Sequence, residues 1–264
     1  MRKLILSIGA LIAFGPLAAA AGPLCGDTPI KLAFFDYGLY FDNGKGIDKD
    51  LADELEHRSS CAFDRHVMAR ARIWNELKAG TLDLAFSGLE SPERDEFAWF
   101  VPYLAVKNFA VLRKEDKTLG INSASDFLAR PRLRFGAVRS FIHGQMQDRW
   151  LDELREKNRV VDYAESDLLF RNLKGGRIDA TFADPLVFRR AMSDFDMQDE
   201  LAIEDWTPEE RGTPVNVIFA KSRFGPAELA QWQGILHDMI NDGTMRKIFE
   251  RYMSAAEAEA ILTF

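Results

Sequence analysis

Apolar positions along this chain fall into two kinds of run. Short blocks without helical period alternate with stretches in which apolar residues recur every three or four positions. Ile30 to Phe35, Cys61 to Met68, Leu82 to Phe86, Leu133 to Val138 and Val160 to Tyr163 are blocks of the first kind and predict strands. Ile47, Leu51 and Leu55 form a stripe of the second kind, with Asp48 well placed to cap the start of that helix. Ile73 and Leu77 stripe a short helix that Gly80 ends. A further short helix ends at Phe127 to Ala129, before Pro131. Met146, Trp150, Leu151 and Leu154 predict another, and Leu169, Phe170 and Leu173 the next. Helices are also predicted at Leu186 to Met192, from Pro226 to Asn241, and from Met245 to Met253. Strands alternating with helices imply an α/β fold with mostly parallel sheets covered by helices.

Two longer apolar runs, Leu104 to Leu112 and Pro214 to Ala220, lack helical period. They read as crossover strands joining two α/β lobes. On this reading lobe 1 is discontinuous, 22–108 and 216–264, and lobe 2 is 109–215. Two crossing strands form a hinge of the kind used for closure around ligands. A doubled phrase supports the division. Leu77-Lys78-Ala79-Gly80-Thr81-Leu82-Asp83-Leu84-Ala85-Phe86 recurs as Leu173-Lys174-Gly175-Gly176-Arg177-Ile178-Asp179-Ala180-Thr181-Phe182. Each copy reads as a helix end, a glycine stop and a buried strand. The strands end at Ser87-Gly88 and Ala183-Asp184, and in open α/β sheets ligands bind just beyond such ends.

The first 21 residues change the picture of where the chain works. Arg2 and Lys3 precede an apolar run from Leu4 to Leu17, and Ala18 to Ala21 supply small residues for cleavage. Residues 1–21 are therefore expected to be a cleavable secretory signal, with Pro16 and the alanine block arguing against a membrane anchor. Their removal lowers the formal net charge from −7 to −9. An acidic chain of this kind is disfavoured as a nucleic-acid binder, because phosphates demand a basic face. Beyond the signal no apolar run is long enough to span a bilayer. The two cysteines, Cys25 and Cys61, are an even count in a secreted chain, which favours a disulfide over two buried thiols. His57, His66, His143 and His237 lack metal-ligand spacing, and no phosphate loop, G-x-S-x-G elbow or G-x-G-x-x-G occurs. No cofactor is expected.

Several short motifs in order resemble one family. Gly46-Ile47-Asp48-Lys49-Asp50-Leu51-Ala52 resembles its G-[FI]-D-x-D-L-A, and Leu77 to Asp83 its L-x-x-G-x-x-D. Ser91-Pro92-Glu93-Arg94 resembles T-P-E-R, and Phe100-Val101-Pro102-Tyr103 resembles F-S-x-P-Y. Asp242-Gly243-Thr244 with Tyr252 resembles the D-G-T…K-Y tail. These are motifs of the bacterial family 3 extracellular solute-binding proteins, the periplasmic amino-acid receptors of ABC importers. The resemblance implies a type II periplasmic-binding-protein-like fold of two lobes joined by two crossover strands. It also implies a monomer in the periplasm, with a small amino acid or organic acid as ligand and a membrane ABC permease as partner.

Site roles follow from the same resemblance. Arg94 stands where the family's arginine holds the ligand's α-carboxylate, a pairing suited to a guanidinium fork. Its alternative is a surface ion pair with Glu90 or Asp95. Asp184 stands where an aspartate accepts the α-ammonium, although before Pro185 it also suits a helix cap. Ser87 and Gly88 match positions that offer backbone groups, and Ser91 keeps the hydroxyl of the usual threonine. In the aromatic loop Tyr37, Tyr40 and Phe41 are candidates to pack against the ligand's stem, or against the core. The chain departs from the pattern in three places. It is one residue short before Arg94. It carries Arg70, where an aromatic is usual, followed by Arg72 and Trp74. It has Ser140-Phe141-Ile142 in place of Gly-Thr-Thr. Arg70 and Arg139 would add positive charge to the cleft. Two other readings stay open: an enzyme on the same scaffold, resembling cyclohexadienyl dehydratases with Asp184 or Glu90 as acid, and a receptor that presents its ligand to a membrane sensor.

Overall fold

The computed structural model describes residues 24–263; the expected signal segment, 1–21, lies outside them. The chain lays down β1 (Ile30–Phe34), β2 (Phe63–Val67), β3 (Leu84–Gly88) and β4 (Ala98–Val106) in a first sheet. It then builds β5 (Phe109–Arg113), β6 (Phe135–Val138), β7 (Val160–Tyr163), β8 (Ala180–Ala183) and β9 (Leu201–Glu204) in a second, and returns to the first with β10 (Thr213–Ala220). Helices α1 (Ile47–Ser59) and α2 (Arg70–Ala79) belong to the first lobe. α3 (Lys114–Thr118), α4 (Ala124–Leu128), α5 (Gln145–Glu156), α6 (Ser166–Lys174) and α7 (Pro185–Asp194) belong to the second. α8 (Pro226–Asn241), α9 (Thr244–Phe249) and α10 (Ala255–Ile261) follow β10. Among the described residues no helix is long and apolar enough to cross a membrane.

The two sheets share one plan. Their orders are β2-β1-β3-β10-β4 and β7-β6-β8-β5-β9. β1 runs parallel to β2 and β3, and β6 to β7 and β8. β10 runs antiparallel to β3 and β4, and β5 antiparallel to β8 and β9. The expectation of mostly parallel sheets is thus corrected. Each crossover strand arrives from the opposite lobe and runs against the three parallel strands it joins.

The apolar run 104–112 is not one strand. Lys107-Asn108 divides it between β4 in the first sheet and β5 in the second. The other crossing spans 205–212. An ion pair joins the two crossings, Lys107 Nζ to Asp205 Oδ2 at 2.7 Å. The expected boundary at 216 falls inside β10, whose Thr213, Pro214 and Val215 already pair with β4. β9 had no counterpart in the sequence reading. It is four residues at a sheet edge, with one fully buried side chain, so no apolar run announces it.

The doubled phrase has one structural meaning in both lobes. Gly80 (φ 69°) and Gly176 (φ 65°) end α2 and α6 in the left-handed region that glycine enters without a Cβ clash. Leu82 and Ile178 are fully buried beside them. The aspartate that follows clamps the neighbouring strand. Asp83 Oδ2 accepts from Lys31 N at 2.9 Å, while Asp83 N donates to Lys31 O at 3.0 Å. Asp179 does the same to Arg134, at 2.6 and 2.8 Å. The repeat therefore sets the register of β3 on β1 and of β8 on β6.

α1 begins at Ile47 with Gly46 as its cap residue, not Asp48. The Asp48 side chain turns inward and is 2 % exposed. Cys25 and Cys61 form the expected disulfide across a sequence separation of 36. It ties the segment before β1 to the end of α1. Constraining an unfolded loop of this length stabilises by about 3–4 kcal/mol in the chain-entropy account. Urea unfolding of the Cys25→Ser/Cys61→Ser variant should show a loss of that order; an unchanged midpoint would contradict the assignment.

Candidate functional site

The carboxyl ends of four strands converge between the lobes: β1 and β3 from one side, β6 and β8 from the other. They surround a small cavity. Six of the site candidates singled out in the sequence meet there: Tyr37, Tyr40, Arg70, Ser87, Arg94 and Asp184. Phe35 and Phe141 join them. Three do not line it. Phe41 is buried and stacks on Phe34 at 4.6 Å, as a core residue. Gly88 sits over Ile218, which a Cβ would meet at 2.5 Å. Ser91 instead accepts from Arg94 N at 3.4 Å and shapes the turn before it. Arg139 is exposed and also lies outside the lining. Among the described residues no group of His, Cys, Asp or Glu could hold a metal ion.

Both cavity arginines stand on Trp74. The Arg94 guanidinium lies 3.9 Å from that ring's centroid and the Arg70 guanidinium 4.5 Å. Arg94 forms no ion pair with Glu90 or Asp95. It donates to Leu89 O at 2.8 Å and reaches across the cleft to Ser140 O at 2.7 Å. Arg70 is fully buried and donates to Phe86 O and Ser87 O, both at 2.9 Å. Desolvation lowers Arg70 to about 9 and Arg94 to about 10, so both stay charged at neutral pH.

Ser87 has φ 56°, unusual for a residue with a Cβ. Its surroundings over-determine that conformation. Arg70 holds its carbonyl, while its Oγ donates to Asp48 Oδ2 at 2.6 Å and lies 3.1 Å from Tyr103 OH. Tyr103 donates in turn to Asp48 Oδ1 at 2.6 Å. Asp48 and Tyr103 are site residues that the sequence reading passed over. A signal existed: Asp48 precedes Ala52 by four positions and Leu55 by seven, so it shares the buried face of α1. Ser140 repeats the left-handed turn at the end of β6, with φ 65°.

Asp184 is both cap and cavity group. Its Oδ1 accepts from Leu186 N at 2.8 Å, at the start of α7. Its Oδ2 accepts from Tyr37 OH at 3.3 Å and Tyr40 OH at 3.4 Å, both from the first lobe. Burial raises it to about 6, against those hydrogen bonds, which lower it. The aromatic loop docks further along α7. Leu39 N donates to Leu186 O at 3.0 Å, and Arg190 pairs with Asp42 at 2.6 Å. Gly38 makes this approach possible: a Cβ there would meet Leu186 O and Val187 Cα, each at 2.6 Å.

Burial raises Asp48 from 3.8 to about 7, more than its hydrogen bonds with Ser87 and Tyr103 and the Arg70 charge lower it. The folded protein holds this proton to higher pH than the unfolded chain does. Its stabilising contribution is complete below about 3.8 and is lost as pH rises to about 7. Relative to Asp48→Asn, the wild type should lose on the order of 2–4 kcal/mol across that window. Denaturation at several pH values reads the difference directly; a constant gap would refute the buried, proton-retaining carboxyl.

Solved structures share this architecture at low identity. The arginine-, lysine-, histidine-binding protein ArtJ from Geobacillus stearothermophilus aligns with a TM-score of 0.71 at 16% identity, covering 88% of this chain and 100% of that one. An ancestral arginine-binding protein bound to arginine gives 0.70 at 21%, covering 86% and 98%. The ancestral amino acid-binding protein AncCDT-1, a precursor of cyclohexadienyl dehydratase, gives 0.66 at 20%, covering 85% and 94%. Curated proteins yield no significant sequence match. The fold is that of type II periplasmic binding proteins. The family model for bacterial extracellular solute-binding proteins, family 3, matches residues 34–255, and the chain belongs to that family.

Proposed function

We propose that this protein is a periplasmic receptor that captures a small carboxylate-bearing solute by closing its two lobes and delivers it to an ABC permease. The observation that carries this reading is Arg94. It lines the interlobe cavity, stands on the Trp74 ring and bonds to both lobes. It keeps N–H groups beyond the two already used, enough for a carboxylate fork. Amino-acid-binding relatives of the same fold support a ligand of amino-acid size. Delivery to a permease follows from the family habit of pairing with ABC transporters.

Arg94→Ala should weaken carboxylate binding by about 100-fold or more, as expected for removing a desolvated charge partner. Isothermal calorimetry measures this, and undiminished affinity would remove Arg94 from the site. Gly38→Ala tests closure separately. It leaves the cavity side chains in place but puts a Cβ into the α7 backbone. Affinity should fall at least about tenfold with little change in the far-ultraviolet spectrum, and unchanged affinity would mean that the docked loop is not part of the bound state.

One observation favours a second reading, an enzyme performing acid-catalysed elimination. Asp184 is a buried cavity carboxyl raised to about 6, suited to proton donation near neutral pH. Glu90, the other expected acid, is exposed and outside the lining. Product formation from prephenate or arogenate, abolished by Asp184→Asn, would establish the enzyme; no turnover by the intact protein would dismiss it.

A further inference from the structure

The chemistry of the cavity narrows the ligand class within the receptor reading, on which this inference rests. An ammonium group needs acceptors, and most of the acceptors at this cavity already take a hydrogen bond from the protein. Asp184 takes Leu186 N on one oxygen and the Tyr37 and Tyr40 hydroxyls on the other. At the end of β3, the Phe86 and Ser87 carbonyls take the Arg70 guanidinium. At the end of β6, Ser140 O takes Arg94, and nearby His143 O takes Asn108 at 2.7 Å. The neutral oxygens that remain, such as the Tyr37 and Tyr40 phenols and the Asn108 amide, are weak partners for a cation compared with a carboxylate.

Positive charge is in surplus at the same place. Arg70 and Arg94 both border the cavity, and among the described residues neither has a carboxylate within 4.0 Å. Several guanidiniums elsewhere on the molecule have one, as Arg58, Arg65 and Arg113 show. Asp48 acts on Arg70 through space, but its oxygens are committed to Ser87 and Tyr103. Glu93 and Asp148 act on Arg94 in the same remote way, and neither lines the cavity. Charges taken out of water require compensation. Here the protein supplies carbonyls and the Trp74 ring but no contacting carboxylate, and an entering anion completes the compensation.

The remaining wall is carbon. Phe141 packs edge-on against Tyr37 at 4.9 Å and Phe35 at 5.7 Å, between the two lobes. We propose that the ligand is an organic acid without an ammonium group. Its carboxylate is held by Arg94 beside Arg70, and its apolar stem lies against Phe35, Tyr37 and Phe141. Asp184 then serves as the clasp that receives the first lobe's tyrosines, and does not contact a ligand amine.

Matched pairs that differ only in the amine test this on the intact secreted protein. 3-Phenylpropanoate with L-phenylalanine, glutarate with L-glutamate, and 5-guanidinopentanoate with L-arginine span three stems. Calorimetry should show the amine-free acid binding at least about tenfold more tightly in each pair that binds. An amino acid binding as tightly as its partner overturns the inference and leaves the receptor reading intact. Failure of every acid and every amino acid overturns both. Asp184→Asn gives an independent measure, since asparagine still caps α7. The substitution should scale the affinities of the acid and of its matched amino acid by the same factor, to within about threefold. A loss greater for the amino acid by about tenfold or more would place Asp184 on the ligand amine and refute the assignment.

Discussion

The site depends on how the chain is held at the end of β3. Ser87 turns there with a positive φ, which a residue bearing a Cβ adopts only under constraint. The constraint is a buried polar bundle: Asp48 receives Ser87 and Tyr103, and Arg70 receives no carboxylate but grips two successive carbonyls. Four elements contribute one group each, from α1, α2, β3 and β4. The carboxylate and hydroxyl oxygens of the bundle are all hydrogen-bonded, and such a network specifies one arrangement where a half-satisfied one would not. The strand end thereby presents Arg94 from a fixed platform, with Trp74 beneath it.

The opposite lobe achieves its strand end differently. Ser140 also turns through the left-handed region, yet its carbonyl is held by Arg94 from across the cleft. Asp184 is held by the first turn of α7 and by two tyrosines from the first lobe. One side of the cavity is therefore organised within its own lobe, while the other is completed only when the lobes meet. Interlobe contacts thus complete the second lobe's share of the cavity, and the first lobe's bundle needs none.

Much of the scaffold was legible because buried blocks and helical stripes carry strong periodicity. The α/β alternation, most strands, and the helices at 47–59 and 226–241 follow from that alone. What escaped was decided by tertiary neighbours. Asp48 looks like a cap until Ser87 and Tyr103 are brought to it from 39 and 55 residues away. Arg70 looks like a cleft cation, but burial between Phe35 and Trp74 turns it into a backbone clamp. The split at Lys107-Asn108 was invisible because both halves are apolar and extended. Of the candidate ligand residues at strand ends, Ser87 and Asp184 reached the cavity, whereas Gly88 sits over Ile218. Phe41 did not, because sequence places it in an aromatic loop without saying which rings face inward.

The paired aspartates of the doubled phrase have a consequence for how such a molecule can change. Asp83 and Asp179 each lock one strand to its neighbour at the end remote from the cavity. Register is thus decided before the chain reaches the residues that meet a ligand. Mutations at the opposite end of those strands can accumulate with little risk of slippage, because a one-residue slip would first have to break the clamp. Innovation and scaffold maintenance are assigned to opposite ends of the same short strand. That separation lets the cavity's chemistry vary while the fold is inherited unchanged.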